Sequence, residues 1–265
     1  MNVLRALIFD VDGTLADTER DAHRVAFNRA FADAGLDWDW SPEVYGRLLA
    51  VAGGKERIAA WWRELGAPAN ASTAAGARAE DFIARLHADK TRHYTALIDA
   101  GTIALRPGVA RLIGEARAQG LRLAIATTTT PANVLALLRA TLGEAGVQAF
   151  DCIAAGDMVA AKKPAPDVYA LALDRLGLPA RECLAIEDSA IGLQAARACG
   201  LPTLITFSDY TRDQDFTGAL AVADGLGEPD APATVRTAQG GGECVIDCTV
   251  LQAWHARNGT TPLAN

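Results

Sequence analysis

A short apolar run, Val3 to Phe9, stops abruptly at Asp10-Val11-Asp12-Gly13-Thr14. A stretch this apolar predicts a strand buried on both faces, as in a parallel sheet, because a half-exposed strand would alternate. Its ending constrains the chain more than any other feature does. Two acids and a glycine directly after a buried strand put charge at the sheet rim, where open α/β folds collect ligands.

The pattern returns late in the chain. Leu121–Thr127, Cys152–Ala155, Cys183–Ile186 and Pro202–Thr206 are predicted strands. Helical patterns at Val109–Gln119, Asn133–Leu142, Pro166–Leu176 and Ile191–Cys199 separate them. Strands alternating with helices imply βαβ units and a doubly wound parallel sheet of the α/β class. The stretch from Ala16 to Tyr94 breaks that rhythm, with helical patterns and no strand. His23, Phe27, Ala30, Phe31 and Ala34 share one helical face. Further helices are predicted near Pro42–Leu49, Lys55–Leu65 and Ala74–His93. The expected organisation is a core of residues 1–15 and 95–265 with a helical cap, 16–94, inserted after the first strand. Pro107-Gly108 marks the return to the core. Gly225 to Gly242, rich in Gly, Pro and Ala, reads as loop, and Cys244–Trp254 as a final strand or helix.

Composition narrows the function classes. The 265 residues allow one large or two unequal units with a substantial core. A chain 50% hydrophobic and 22% charged fits a soluble enzyme. Its net charge of -7 argues against nucleic-acid or anionic-membrane partners, which attract basic proteins. No stretch is long enough to span a bilayer, and the first residues lack a signal-peptide pattern, so a cytoplasmic protein is expected; a monomer is expected too. The 5 cysteines are odd in number and irregularly spaced, which suits small buried thiols better than disulfides or zinc.

The strand ends carry the chemistry. The first delivers Asp10, Asp12, Gly13 and Thr14; the second Thr127, with Thr128 and Thr129 beyond. After the third comes Lys163-Pro164, just before a helix, and the fourth delivers Glu187 and Asp188. Phosphoryl transfer needs such a set, since its transition state spreads negative charge that must be neutralised and held in place. Several carboxylates beside a phosphate demand a divalent cation, and hard oxygen ligands suit Mg2+. Asp10 can ligate the metal and attack phosphorus. Asp12 can protonate the leaving alkoxide, later take a proton from water, and offer its backbone carbonyl to the metal. Thr127 and Lys163 serve the phosphoryl oxygens, and Asp188 with Glu187 completes the metal site.

Asp10–Thr14, Thr127, Lys163-Pro164 and Glu187-Asp188-Ser189, in that order, resemble the four motifs of phosphatases of the haloacid dehalogenase (HAD) superfamily. The resemblance implies a Rossmann-like core, an aspartyl-phosphate on Asp10 and Asp12 as acid and base. The helical block resembles the small cap of the β-phosphoglucomutase and phosphoglycolate phosphatase branch. Ala16–Asn28, Gly53–Ile58 and Lys162–Tyr169 are most similar to the CbbY-like proteins. That group implies hydrolysis of a sugar phosphate, xylulose 1,5-bisphosphate, an inhibitor of Rubisco. It makes Glu19, Tyr45, Lys55 and Arg57 substrate-contact candidates, with Thr128 beside them.

Blander readings compete at several positions. Lys162 rivals Lys163, and the Lys-Pro pairing favours Lys163. Glu187 and Asp188 also suit the N-terminus of the helix that follows. His23, sharing a face with Phe27 and Phe31, reads as a packing histidine, and Trp38, Trp40, Trp61 and Trp62 read as cap core. Lys55 and Arg57 are either surface charges or, after Gly53-Gly54, part of an anion seat. Arg106 and Arg139 are assigned to the solvated surface. A sugar phosphomutase, a phosphoglycolate phosphatase and a binding protein without activity remain as alternative functions.

Overall fold

A computed structural model describes residues 3–65 and 79–257. An eight-stranded sheet runs through it in the order β3-β2-β1-β4-β5-β6-β7-β8. Its strands are β1 (Ala6–Phe9), β2 (Arg122–Ala126), β3 (Cys152–Ala154), β4 (Cys183–Glu187), β5 (Thr203–Thr206), β6 (Ala221–Ala223), β7 (Ala233–Thr237) and β8 (Gly240–Cys244). The first six are parallel; β7 and β8 add an antiparallel hairpin. The sheet is therefore the mostly parallel, doubly wound one that the alternating pattern predicts.

The apolar run succeeds because both faces of β1 are covered. Leu7 and Phe9 join one core cluster with Leu123, Ile125, Leu184 and Ile186. Ala6 and Ile8 join the other with Ala124, Ala126, Cys183 and Ala185. Bulky residues thus line one face of the three central strands and mostly small ones the other, at the two-residue period of a pleat. Helices α5 (Val109–Ala118), α6 (Pro131–Gln148) and α9 (Cys248–Arg257) cover the first face. Helices α7 (Asp167–Leu176) and α8 (Ala190–Ala198) cover the second. Pairing of Phe9 with both Ile125 and Ile186 brings the carboxyl ends of β2, β1 and β4 level. Whatever follows those strands must meet at one rim.

Between β1 and α5 lies the helical insert. A π-helical turn (Glu19–His23) leads into α1 (Arg24–Asp33), followed by α2 (Pro42–Leu48), α3 (Gly54–Leu65) and α4 (Ala79–Asp99). Ser41 caps α2 by accepting from the Val44 N–H, and Pro42 supplies the fixed φ of a first turn. The insert has its own core, in which Phe27, Phe31, Trp38, Trp40, Tyr45 and Trp61 pack edge-on or tilted. The tryptophans pack there as expected, with Trp62 at the margin.

Two expectations need correction. Helix α4 runs to Asp99 rather than ending near His93, because Tyr94 and Ile98 extend the buried stripe of Leu86, His87 and Lys90. The start expected at Ala74 falls outside the described residues. The segment from Gly225 to Gly242, read as loop, contains β7 and the start of β8, and β6 was not foreseen at all. Only Ala233 and Val235 turn inward in β7, and β8 is almost wholly exposed, so backbone pairing defines this hairpin and hydrophobic pattern does not. All five cysteines are free. Among the described residues no helix is long and apolar enough to cross a membrane.

Candidate active site

Lys163 organises the rim. Its ammonium donates to Asp10 Oδ1 at 2.7 Å, to Glu187 Oε1 at 2.5 Å and to the Ala126 carbonyl at 2.9 Å. It thus binds the ends of β1, β2 and β4 through one buried charge. The Tyr169 hydroxyl donates to the same Glu187 oxygen at 2.6 Å. Ligand oxygens of Asp10, Glu187 and Asp188 lie within 4.8 Å of one another. All three carboxylates are buried. Lys162, the rival lysine, instead donates to Glu56 of α3 at 2.9 Å.

Three buried acids cannot share so small a space as bare anions. Burial, with Glu187 and Asp188 adding to it, holds the Asp10 carboxyl well above its ordinary range even though Lys163 pulls it down. Burial and then Glu187 push Asp188 up to about 8. Burial also works against the Lys163 ammonium, but Asp10 and Glu187 outweigh it and strengthen its hold on its proton. One lysine cannot neutralise the set, and the hard oxygens at this spacing fit a divalent cation. Asp188 offers the freer carboxylate, held through Oδ2 by the Ser208 hydroxyl at 3.0 Å. Glu187 already accepts Lys163 and Tyr169 on one oxygen and the Asp188 N–H on the other, at 3.2 Å.

Gly13 completes the packing with φ +91°, and a side chain there would overlap the Asp188 carboxylate. Asp12 faces the insert. Its Oδ1 accepts from Thr18 at 2.5 Å and from His23 Nε2 at 2.7 Å. Lys90 lies 2.5 Å from His23 Nδ1, so the ring proton sits on Nε2. Burial raises the Asp12 carboxyl, but His23, Thr18 and Lys90 together win and bring it down to about 2. His23 does pack as expected, stacked on Tyr94 with ring centroids 4.2 Å apart, and it also holds Asp12. Thr18 and Lys90 were missed. Lys90 lies far along the chain on another helix, and no local pattern marks it.

Two clefts adjoin here. One touches Asp10, Thr127, Lys163 and Asp188; the other touches Gly53, Gly54, His87, Lys90 and Lys162. Asp12, Glu19, Arg57 and Thr128 line both. Thr127 is buried at the first cleft, its N–H tied to the Ala154 carbonyl at 3.0 Å. Tyr45 donates to Glu19 at 2.5 Å and accepts from Arg57 at 2.8 Å. Arg57 is itself anchored to the Leu48 carbonyl at 3.2 Å. Lys55 is not brought in: it lines neither cleft and lies 3.5 Å from Asp157.

Residues 4–200 match the family described as haloacid dehalogenase-like hydrolase. The chain belongs to that family. Over 252 residues it is 52% identical to the plasmid-borne CbbY of Cupriavidus necator, covering 95% of this chain and 97% of that one. CbbY of Rhodobacter capsulatus is 55% identical over 217 residues, covering 82% and 91% respectively. A crystal structure of a CbbY variant from Rhodobacter sphaeroides, in complex with xylulose-(1,5)bisphosphate, has 48% identity and a TM-score of 0.77. That match covers 84% of this chain and 94% of that chain. The sequence resemblance to HAD hydrolases of the CbbY group therefore holds.

For this HAD hydrolase one surface assignment fails. Arg139 is exposed and pairs with Glu144, as expected. Arg106 is buried against the carbonyls of Gly13, Thr206, Phe207 and Asp224. Its signal was weak, a lone arginine before Pro107-Gly108, and only the fold supplies its partners.

The crowded acids make stability depend on pH and on cations. Asp188 and Asp10 have folded pKa values raised above their unfolded ones. Their contribution is complete below the ordinary carboxylate range and is lost as pH rises through about 8. Without a cation, the melting temperature is expected to fall from about pH 5 to about pH 8.5, and added divalent cation raises it most at the alkaline end. Thermal melts with chelator or cation check this. A cation effect that is equal at both ends contradicts it.

Proposed function

We propose that this chain is a Mg2+-dependent sugar-bisphosphate phosphatase that works through an aspartyl-phosphate on Asp10. Its proposed substrate is xylulose 1,5-bisphosphate, released as xylulose 5-phosphate and phosphate. One observation carries the reading: the two clefts meet at Asp12 and Arg57, one holding Asp10 and Lys163, the other gathering Lys90 and Lys162. A ligand with a phosphate at each end matches that division of charge. The sugar bisphosphate bound by the related CbbY variant supports the choice.

Asp10, Asp188, Glu187 and the Asp12 backbone would hold Mg2+, which screens the carboxylates and the transferring phosphoryl group from each other. Lys163 fixes Asp10 Oδ1, and the other Asp10 oxygen attacks phosphorus. A bond from that oxygen to phosphorus forms as the bond to the sugar oxygen breaks. Asp12 passes a proton to the departing alkoxide. Asp12 rests ionised, so it must first take that proton up from water, while His23 Nε2 at 2.7 Å and Thr18 hold its carboxylate in place. Water then attacks the aspartyl-phosphate, Asp12 takes a proton from it, and Asp10 is restored. Thr127 and Lys163 hold the phosphoryl oxygens during both steps. Thr128, Glu19 and Arg57 hold the sugar and its second phosphate, while Tyr45, which is buried and lines neither cleft, braces Glu19 and Arg57. Residues 16–94 act as the cap, closing over the substrate and excluding water. Lys55 enters this scheme only as a charge near the cap edge, since it faces Asp157.

A screen of sugar mono- and bisphosphates with Mg2+, reading free phosphate, tests the proposal. Xylulose 1,5-bisphosphate is expected to rank first. An isomeric sugar phosphate formed without phosphate release would make the chain a mutase, and a flat profile would remove the bisphosphate reading. Arg57→Ala is expected to raise KM for the bisphosphate roughly tenfold or more, the worth of a charged hydrogen bond. KM for a short monophosphate is expected to change little. Equal losses on both substrates count against Arg57 as the contact for the second phosphate.

A further inference from the structure

We propose that Arg106 is a positioning residue for the cation site, setting divalent-cation affinity through the backbone segments that it ties together. The inference rests on the Mg2+-dependent reading above. Arg106 lies where the chain returns from the helical insert, and its N–H donates to the Leu15 carbonyl at 2.8 Å. Its Nη1 donates to the carbonyls of Gly13 and Thr206, the latter at 2.7 Å. Its Nη2 donates to those of Phe207 at 2.7 Å and Asp224 at 2.9 Å. Nε lies 3.5 Å from Asp17, on the opposite crossing between insert and sheet. Both Nη groups are thereby used twice, and the side chain is only 9% exposed.

The segments it joins are those that place Asp188. Gly13 packs directly on the Asp188 carboxylate. Ser208, next after Phe207, donates to Asp188 Oδ2 at 3.0 Å, and Thr211 reaches the same oxygen at 3.4 Å. The turn that Arg106 holds through Gly13 and Leu15 also carries Asp12. Fixing both segments fixes the spacing of Asp12 and Asp188, two of the residues that would hold the cation. A lysine cannot replace this, because a point charge cannot span four carbonyls as a planar fork does.

The test uses the full-length enzyme with three readouts: the Mg2+ activation constant, the Mg2+-induced rise in melting temperature, and KM for sugar bisphosphate at saturating Mg2+. In Arg106→Lys the activation constant is expected to rise about 10- to 100-fold, the range for residues supporting metal ligands. The Mg2+-induced melting shift shrinks in step, and KM stays within about twofold. Asp17→Asn, which leaves the four carbonyl bonds in place, is expected to move the constant the same way by about two- to fivefold. A folded Arg106→Lys with the wild-type Mg2+ constant overturns the proposal. If that variant does not fold, a wild-type constant in Asp17→Asn overturns it. A wild-type protein whose melting and activity ignore Mg2+ would sink the Mg2+ reading itself, which is a distinct result.

Discussion

Asp10→Asn is expected to lose phosphate release by a factor of at least about 10^4 while the protein stays folded. Removing a nucleophile is among the largest single losses an enzyme shows. Here no neighbour can substitute: Asp188 is engaged by Ser208, and Glu187 by Lys163 and Tyr169. The variant also removes one of three crowded acids, and the amide oxygen still accepts from Lys163. Its melting temperature near pH 8 is therefore expected to be no lower than that of the wild type. Acid-quenched wild-type enzyme should carry a phosphoryl group by intact mass, and the variant should not. Turnover surviving above about 1% of wild type would remove Asp10 as the nucleophile.

Lys163→Met is expected to damage stability and turnover together. Deleting one member of a buried ion cluster strands the others, at a cost of about 3–5 kcal/mol. In a chain of this size that lowers the melting temperature by roughly ten degrees. Lost stabilisation of the phosphoryl oxygens should lower kcat by about 10^2–10^3. The stability loss has a sign in pH. Without Lys163, Asp10 loses its lowering partner, so its folded pKa rises further above the unfolded one. The deficit is then greatest near pH 8 and shrinks as pH falls and the acids become neutral. Lys162→Met is the control, since its pair with half-exposed Glu56 is worth about 1 kcal/mol or less. Equal melting deficits for both variants, or a Lys163→Met deficit independent of pH, would show that Lys163 does not neutralise the cluster.

Much of this site was legible along the chain, for a mechanical reason. Asp10, Thr127 and Glu187-Asp188 directly follow or end apolar runs. Parallel pairing of β1 with β2 and β4 levels those ends. The apolar pattern locates each strand, and the register then brings the polar residues together. The core of the insert was legible in part, because Phe27, Ala30 and Phe31 share a helical face, whereas Trp38 and Trp40 reach it from the segment between α1 and α2. The hairpin of β7 and β8 was not, since a glycine-rich edge strand held by backbone bonds leaves no side-chain pattern.

Sequence by itself determined the sheet, the inserted helices, and which acids and which lysine stand at the rim, because hydrophobic periodicity acts over a few residues and register does the rest. Tertiary structure decided the partners: His23 and Lys90 on Asp12, Arg106 on four carbonyls, and Lys55 on Asp157 instead of the cleft. Those contacts join segments far apart in the chain. They depend on how the insert packs against the sheet, and neither segment carries a local signal of the other.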